Sequence, residues 1–313
     1  MKYIGLDLHK RNIFATVLGE DGKILSSVNI RSKKEDISYY LRGQGPKEEL
    51  SLAIEASYNW LYYFRVLETI TDNITVAHPL KTRIIGEAKI KTDKIDSKAL
   101  AYMLRADMLP KVYIPTRSAM ENKMLLRSRI SLVNLRTQIK NKVHVIIDRN
   151  MDYYSCLENL SDIFGKTAIK MLKSIEIPEP DFMILKNYID LIDELNKKIK
   201  ELEAEISKRA VIDNDIILLK TIPGIGDFTA FIIKAEIDNI DRFISKEKFT
   251  SYIGLTPSVH QSVLKSYTGR LTKQRNKFLR WALTEAAQVA IRHSPYIRYY
   301  YNKLKANKSE LLY

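Results

Sequence analysis

Residues 91–100 read KTDKIDSKAL and carry two acids, Asp93 and Asp96, three positions apart. In a helix this spacing predicts that both carboxylates lie on one face, about one turn apart. Two like charges at that separation destabilise a helix, so the pair indicates a role other than folding. The alternative is a solvated helical face of mixed charge, because three lysines lie among the acids.

Two short apolar runs with high strand propensity each end near an acid. Residues 1–8, MKYIGLDL, contain Asp7 next to their last position, and residues 50–54, LSLAI, are followed directly by Glu55. An unpaired carboxylate is expensive to bury, so an acid at the end of a buried strand favours a functional role. Asp7 and Glu55 therefore join the helical pair as candidate site residues.

The order of the predicted elements indicates the fold class of the N-terminal region. Three strands form an antiparallel meander, with a tight turn at Asp21 and Gly22. Helices and strands then alternate: the predicted helices are 34–42, 59–69 and 92–107, and the predicted strands are 50–54, 74–77 and 111–114. This is the order of an RNase H-like α/β layer, in which carboxylates from neighbouring strand ends and one helix meet at the sheet edge.

The chain is strongly basic. Its 313 residues include 51 Lys and Arg against 37 Asp and Glu, a formal net charge of +14. An excess of this size predicts a polyanionic partner, and nucleic acid is the default candidate. A peripheral membrane protein can be equally basic, but no segment combines a strong apolar face with a purely basic one.

Composition places the chain among ordinary soluble globular proteins, with 45% hydrophobic and 28% charged residues and a length that suits two domains. No apolar run reaches the ~18 residues of a membrane span and the N-terminus lacks a secretory pattern, so we expect a cytoplasmic protein with no membrane partner. The single cysteine, Cys156, excludes an intrachain disulfide and a cysteine-based zinc site. We interpret it as a packing residue.

The middle of the chain has two long apolar repeats at helical spacing, residues 119–149 and 185–206. Three heptads with charged flanks in the second repeat predict a coiled coil, with a plain amphipathic helix on a globular core as the alternative. We expect an antiparallel hairpin of two helices that also serves as a dimer contact. The segment between them, up to Pro178 and Pro180, is predicted to be irregular.

The run TIPGIGDFTAFIIKAEI, residues 221–237, predicts a helix-hairpin-helix unit. Gly224 and Gly226 would let the backbone approach a phosphate, to which the following helix offers free N–H donors. Such hairpins hold DNA through its phosphates without reading bases. The alternative is that the same glycines only make a tight turn between two helices.

Residues 249–294 are predicted to begin as a serine-containing loop and to continue as a basic helix. Five cations fall within eleven residues here: Arg270, Lys273, Arg275, Lys277 and Arg280. This density, with aromatic residues nearby, suits a phosphate backbone. A solvated basic helix is the alternative.

Considered together, these features resemble the DEDD-type insertion-sequence transposases of the insertion-sequence-110 group, which are related to the Piv DNA invertases. The resemblance runs nearly end to end. It is carried by YIGLDLHK, the IEA around Glu55, AHP, KTDKIDSKAL, TIPGIG, GLTPSVHQS, TGRLTKQRN and LRWAL, in that order.

The resemblance implies an α/β plus all-α architecture. A RuvC/RNase H-like catalytic domain would span residues 1–116, a helical coiled-coil connector 117–212, and a mostly α-helical transposase domain with the helix-hairpin-helix unit 213–313. It implies a composite active site in which acids hold Mg²⁺, or Mn²⁺ in its place, and a serine attacks DNA. The matching positions are Asp7, Glu55, Asp93 and Asp96 for the metal and Ser262 for the nucleophile.

Two departures from the family pattern concern the geometry of the loop around this serine. Ser262 is followed by Val263 where the family usually has glycine, and residues 273–276 lack the family's glycine. Ser258 and Ser266 therefore stay as alternative nucleophiles.

The resemblance also implies partners: donor and target DNA, a non-coding bridge RNA, and further copies of the chain in a dimer or tetramer. Two other functions stay open from the residues alone. The acids could activate water in a RuvC-like structure-specific endonuclease, with a 3′-hydroxyl transposition reaction as a variant. The chain could also be a non-catalytic nucleic-acid-binding protein whose acids are structural.

Overall fold

A computed structural model describes residues 1–57, 59–85, 92–153, 160, 162–262, 265–271 and 275–309. For residues 83–85, 258–262, 265–268, 270 and 307–309 it describes the backbone alone. Cys156 and Lys273 lie outside the described residues. The chain divides into two compact units, Met1–Ile114 and Pro115–Tyr313. The division into three domains stays a prediction.

The first unit is built on one mixed sheet. Its strands are β1 (Lys2–Leu8), β2 (Asn12–Leu18), β3 (Ile24–Arg31), β4 (Leu50–Glu55) and β5 (Ile74–Ala77), in the order β3-β2-β1-β4-β5. The first three strands are antiparallel, whereas β1, β4 and β5 are parallel. The predicted meander followed by parallel strands is confirmed, and β1 lies at the centre of the sheet.

Helices cover both faces of this sheet. Those of the first unit are α1 (Lys34–Arg42), α2 (Trp60–Leu67), α3 (Pro79–Ile85) and α4 (Asp93–Arg105). Alternate residues of β1 and β4, including Leu6 and Ile54, are buried with the apolar sides of α1 and α2. The opposite face, which includes Ala53, packs against Leu100 of α4. The fourth helix therefore brings its own residues over the ends of the central strands.

Two predictions in this unit need correction. The expected strand at 111–114 is wrong, since Lys111 forms only an isolated bridge with Ala77 and Val112 donates one backbone hydrogen bond to Val76. Pro110 and Pro115 bracket this segment too closely for a longer ladder. The helix α3 was not predicted, because its first residue, Pro79, reads as a strand terminator but is also a favoured first residue of a helix.

Gly5 allows α4 to lie directly on the sheet. A β-carbon at this position would lie 2.6 Å from the backbone nitrogen of Ala101 and would also overlap the carbonyl oxygen of Ser97. The Ser97 hydroxyl is buried and lies 2.8 Å from the Thr16 hydroxyl on β2, so a hydrogen bond fixes the helix at the same point. The close approach at Gly5 and the hydrogen bond between Ser97 and Thr16 together fix the position of the first turn of α4.

Replacing Gly5 with alanine should destabilise the first unit by about 2–3 kcal/mol, because backbone atoms of α4 must move to make room. Urea unfolding followed by the fluorescence of Trp60 in a Trp281→Phe background measures this. The matched control is Gly43→Ala, where the new methyl group would meet its nearest atom at 3.4 Å in a helical backbone conformation. Equal stability of the two variants would contradict the close-packing interpretation.

The second unit begins with two long helices that pair in opposite directions. They are α5 (Arg117–Arg149) and α7 (Asp181–Val211). Arg129 of α5 lies 2.6 Å from Glu203 of α7, whereas Arg149, near the end of α5, lies 2.7 Å from Asp181 at the start of α7. The predicted antiparallel hairpin is confirmed within one chain. The coiled coil and the dimer contact stay predictions.

The apolar seam of this pair is the set of buried side chains between α5 and α7. It contains Ile139, Val143, Ile146, Leu185, Ile189, Ile192 and Leu195. The connecting segment was predicted to be irregular, but it contains helix α6 (Lys166–Ser174), whose Ala168 and Leu172 are buried against the seam. That prediction is wrong because the helix is stabilised by tertiary packing that a nine-residue sequence does not reveal.

The rest of the second unit is mostly helical. It consists of α8 (Asn214–Leu219), α9 (Asp227–Ile237), α10 (Lys246–Ile253), β6 (Pro257–Ser262), β7 (Lys265–Leu271), α11 (Lys277–His293) and α12 (Pro295–Ser309). The serine-containing stretch predicted as a loop is the antiparallel hairpin β6–β7. Mutual backbone hydrogen bonds stabilise such a pair, and no turn signal like Asn-Gly announces it in the sequence. Among the described helices, none has the length and apolar character needed to cross a bilayer.

A buried ionic network joins four helices of the second unit. Glu236 of α9 is 1% exposed, and its carboxylate lies 3.1 Å from the Arg127 guanidinium and 3.9 Å from the Lys123 ammonium, both on α5. The Asn276 amide donates to the same carboxylate at 2.9 Å, while the Asn276 side chain also caps the first turn of α11. Tyr252 of α10 donates to the Glu236 carbonyl. Both ends of the β6–β7 hairpin are therefore attached to this network.

Candidate functional site

Asp7 and Glu55 are placed by the parallel register of β1 and β4. Leu6 pairs with Ile54 as the last register position, so Asp7 and Glu55 are the next residues of the two neighbouring strands. Because side chains alternate along a strand, both lie on the face opposite Leu6, which is the face that α4 covers. The side chain of Asp7 is 14% exposed. The sheet thus brings two strand-end acids to one edge.

The first turn of α4 carries the other two acids. The Thr92 side chain accepts a hydrogen bond from the backbone nitrogen of Ile95 and so caps the helix. Asp93 and Asp96 both follow within this first turn, where the helix dipole favours negative charge. The N-terminus of α4 therefore stabilises the negative charge of Asp93 and Asp96.

A histidine lies between the two groups of acids. The His9 Nε2 atom is 3.0 Å from Oδ2 of Asp7 and 3.4 Å from Oδ1 of Asp93. The carbonyl of His9 accepts hydrogen bonds from the Ser32 hydroxyl at 2.8 Å and the Tyr63 hydroxyl at 3.1 Å, which hold this turn in place. His9 was not predicted as a site residue. Its spacing of two residues from Asp7, just past a strand end, was the available signal.

The electrostatics of this cluster favour a cation. Burial is the largest cause that raises the pKa of the Asp7 carboxyl above its ordinary value. His9 opposes this rise through its charge and hydrogen bond, and the charges of Asp96 and Asp93 add to it. Neighbouring carboxylates that repel each other in this way are relieved by a bound cation. Among the described residues, ligand atoms of Asp7, His9 and Asp93 form the close group, and the membership of Asp96 and Glu55 stays a prediction.

A divalent metal fits the donor set. Single ligand atoms of Asp7, His9 and Asp93 lie within 4.8 Å of one another. Carboxylate oxygens are the ligands that hard divalent cations prefer, and imidazole nitrogen is tolerated by several transition metals. These three residues can therefore hold one ion at the sheet edge, next to the position of Glu55.

The predicted nucleophile lies in the second unit. Ser262 is the last residue of β6 and pairs with Lys265, so it stands at the closed end of the hairpin. The alternative Ser266 lies on β7, where it pairs with Gln261 of β6, and Ser258 also belongs to β6. The backbone therefore places all three candidate serines on one hairpin, and the nucleophile stays a prediction.

The predicted nucleic-acid-binding cations are divided among three elements. Arg270 belongs to β7, whereas Lys277 and Arg280 lie in the first turn of α11. Arg280 donates to the Gly254 carbonyl at 2.7 Å, so its guanidinium also fastens the end of α10. Arg275 lies between β7 and α11, and its side chain occupies the space that a β-carbon at Gly254 would need. The basic residues thus surround the attachment points of the hairpin and do not form the single basic helix that was predicted.

The two glycines of the predicted helix-hairpin-helix unit have different surroundings. Gly224 has a φ of +90°, and a β-carbon there would lie 2.8 Å from the backbone nitrogen of Ala290 and would overlap the carbonyl of Ala286, both on α11. Close packing of the turn between α8 and α9 against α11 accounts for this glycine. Gly226 precedes α9 directly and has no atom within 4 Å of a β-carbon position, so its backbone is accessible. Phosphate contact stays a prediction for both.

Comparison with known families gives two matches along the chain. Residues 4–151 match a family of transposases, the DEDD transposases of the IS110 type. Residues 217–302 match the transposase family IS116/IS110/IS902. The first match includes all four predicted acids and His9, and the second includes Ser262 and the hairpin.

Curated relatives are similar over most of the chain. A probable family 20 transposase of Pseudomonas aeruginosa is 23% identical over 292 residues, which are 92% of this chain and 84% of that protein. The transposase for insertion sequence element IS1328 of Yersinia enterocolitica is 23% identical over 297 residues, 94% and 85% of the two chains. The transposase for insertion sequence element IS1111A of Coxiella burnetii is 25% identical over 65% of this chain and 56% of that protein.

Proposed function

Because the chain belongs to the IS110/IS116/IS902 family of insertion-sequence transposases, we propose that it cleaves and rejoins DNA strands through its acid cluster and Ser262. The observation that carries the proposal is the convergence of Asp7, His9 and Asp93 at the edge of the mixed sheet. The order of the strands in the sheet supports an RNase H/RuvC-like domain, in which acids from strand ends and from α4 meet.

Asp7, Glu55, Asp93 and Asp96 would hold Mg²⁺, with Mn²⁺ as the alternative, and His9 stands close enough to act as a further ligand. When bound, such an ion stabilises negative charge on the attacking and leaving oxygens of a phosphodiester. The chain itself fixes the acids: β1 and β4 are central strands, and the capped first turn of α4 is fastened by the Ser97–Thr16 hydrogen bond. A rigid donor set of this kind is what orients a phosphate for displacement.

Ser262 would supply the attacking oxygen. Its hydroxyl would lose a proton to solvent, Oγ would form a bond to the phosphorus, and the bond from phosphorus to a deoxyribose oxygen would break, with that oxygen taking up a proton from solvent to leave as a free hydroxyl. The product is a phosphoserine ester, in which the energy of the phosphodiester is kept so that strands can be rejoined without ATP. The basic residues around the hairpin, among them Arg270, Lys273 and Arg275, would bind the phosphates on either side.

The partners follow from the same resemblance. The net charge of +14 supports a polyanionic partner, and donor and target DNA are the substrates of a transposase. A bridge RNA as guide, a dimer or tetramer at the synapse, a coiled-coil geometry for the paired helices, and a cytoplasmic location complete the proposal.

Ser262→Ala should abolish the covalent protein–DNA adduct and strand rejoining. A plasmid that carries the gene with its flanking DNA serves as substrate, and the adduct is trapped by denaturation and mapped by mass spectrometry. Ser258→Ala and Ser266→Ala are the matched controls on the same hairpin and should keep the adduct. An adduct at either of these serines would move the nucleophile to that residue.

A second function is favoured by one observation: the Asp7–His9–Asp93 cluster lies entirely within the first unit and needs no residue from the hairpin. Such a cluster could activate water, as in a RuvC-like endonuclease. Cleavage by the Ser262→Ala variant at the wild-type rate, with no adduct on any serine, would replace the recombinase proposal with this one.

A further inference from the structure

The last helix of the described chain presents a row of tyrosines to solvent. Tyr296, Tyr299 and Tyr300 of α12 are 79%, 69% and 56% exposed, and Leu304 is 50% exposed. Their spacing of three, four and eight residues puts them on one helical face, and Lys303 falls within it. We call these five residues the tyrosine stripe. Large exposed aromatic surface of this kind marks an interaction site.

Packing within the chain does not explain the stripe. In the part of the chain that the structure describes, none of its residues belongs to a buried apolar cluster. The helix is fastened to its neighbour by another residue, Arg298, whose guanidinium donates to the Ile291 carbonyl at 2.9 Å at the end of α11. The attachment and the stripe therefore use different residues of α12.

The charge of the helix indicates what kind of partner it fits. Residues 295–309, PYIRYYYNKLKANKS, contain cations but no Asp or Glu. Lys303 lies on the same helical face as the three tyrosines. Aromatic rings beside ammonium groups match a polyanion with flat apolar faces, and an unpaired nucleic-acid strand has both phosphates and accessible base faces. In a duplex those faces are stacked and hidden.

We propose that the tyrosine stripe binds single-stranded nucleic acid, with successive bases stacked on the tyrosine rings and a phosphate held by Lys303. Tyr296 and Tyr300 are one helical turn apart, about 6 Å along the axis, so neighbouring rings can engage neighbouring bases of an extended strand. The inference deepens the proposed function and rests on it only for the source of the strand, since strand exchange releases unpaired DNA. The binding itself requires no cleavage.

Binding is measured with the full chain and a fluorescently labelled oligothymidylate, by anisotropy in EDTA so that no strand is cut. Replacing Tyr296, Tyr299 and Tyr300 together with serine should weaken binding at least about tenfold, because each stacked base contributes measurably. Replacing the same three with phenylalanine keeps the rings and should change affinity less than about threefold. Tyr39→Ser, at a site 85% exposed on α1, is the matched control and should bind like wild type.

Three outcomes would overturn the inference. The first is wild-type affinity of the serine variant for the oligonucleotide. The second is an equal loss of affinity for a duplex of the same length. The third is unchanged affinity with an altered sedimentation coefficient, which would assign the stripe to contact with a second copy. The proposed function is tested separately, since the serine variant can lose strand binding while Ser262 still forms an adduct.

Discussion

Replacing Asp7 with asparagine should lower DNA-strand cleavage by at least about a thousandfold, with nucleic-acid binding retained. Asp7 is the acid nearest to His9, and the charges of both acids of α4 act on its carboxylate. Asparagine keeps the shape but removes the charge that a divalent ion needs. Metal-assisted charge stabilisation contributes several kcal/mol to such reactions, and about 1.4 kcal/mol corresponds to a factor of ten in rate.

Two measurements check this result. Cleavage is followed on the plasmid substrate, and the midpoint of thermal unfolding is followed as Mg²⁺ is added. The midpoint of the wild-type protein should rise with Mg²⁺ because the ion binds the folded state, and that of the variant should not. Asp72→Asn is the control, because the side chain of Asp72 in the same unit is 94% exposed. Normal recombination by the Asp7 variant would refute the metal site.

Replacing Glu236 with alanine should destabilise the second unit by about 3–5 kcal/mol, since the change leaves the largely buried ammonium of Lys123 without its nearest counter-charge. The side chain of Lys123 is only 14% exposed, and burial already lowers its pKa, an effect that Glu236 opposes. Without Glu236 the pKa of Lys123 should fall further. Asn276 would also lose the carboxylate that orients it at the start of α11.

Urea unfolding followed by the fluorescence of Trp281, in a Trp60→Phe background, reports on the second unit alone. Glu201→Ala is the control, because Glu201 pairs with Lys198 at the surface with a side chain 63% exposed. Such a pair contributes less than about 1 kcal/mol. A similarly small loss for Glu236→Ala would mean that water or a shifted side chain replaces the carboxylate.

Local signals predicted much of the first unit. The helix 34–42 has the predicted bounds, since glycine and proline follow it directly, and β5 likewise coincides with the predicted strand 74–77. Errors arose where tertiary contacts decide. The helix α6 depends on the apolar seam, and the β6–β7 hairpin depends on a pairing between two polar runs. Neither partner is visible in the local sequence.

The candidate site shows the same division. That Asp7 and Asp93 would meet followed from strand order and helix position, because parallel strand ends and one helix terminus share an edge. The one local signal for His9 was its spacing from Asp7, since its position also depends on how the chain turns after β1, where Ser32 and Tyr63 hold its carbonyl. The close approach at Gly5 was also invisible, because a strand glycine alone does not name the helix that lies on it.

The apolar seam between α5 and α7 limits how this chain can assemble. Side chains such as Val143 and Ile189 are fully covered by their own chain. A second copy could reach them only if α5 and α7 separated. Separation would first expose the apolar seam to water, which is unfavourable. Self-association through this pair would have to use its outer surface, where ionised residues such as Lys197 and Glu201 lie on the same helix as the exposed Leu191. A contact made by the ionised residues weakens as ionic strength rises.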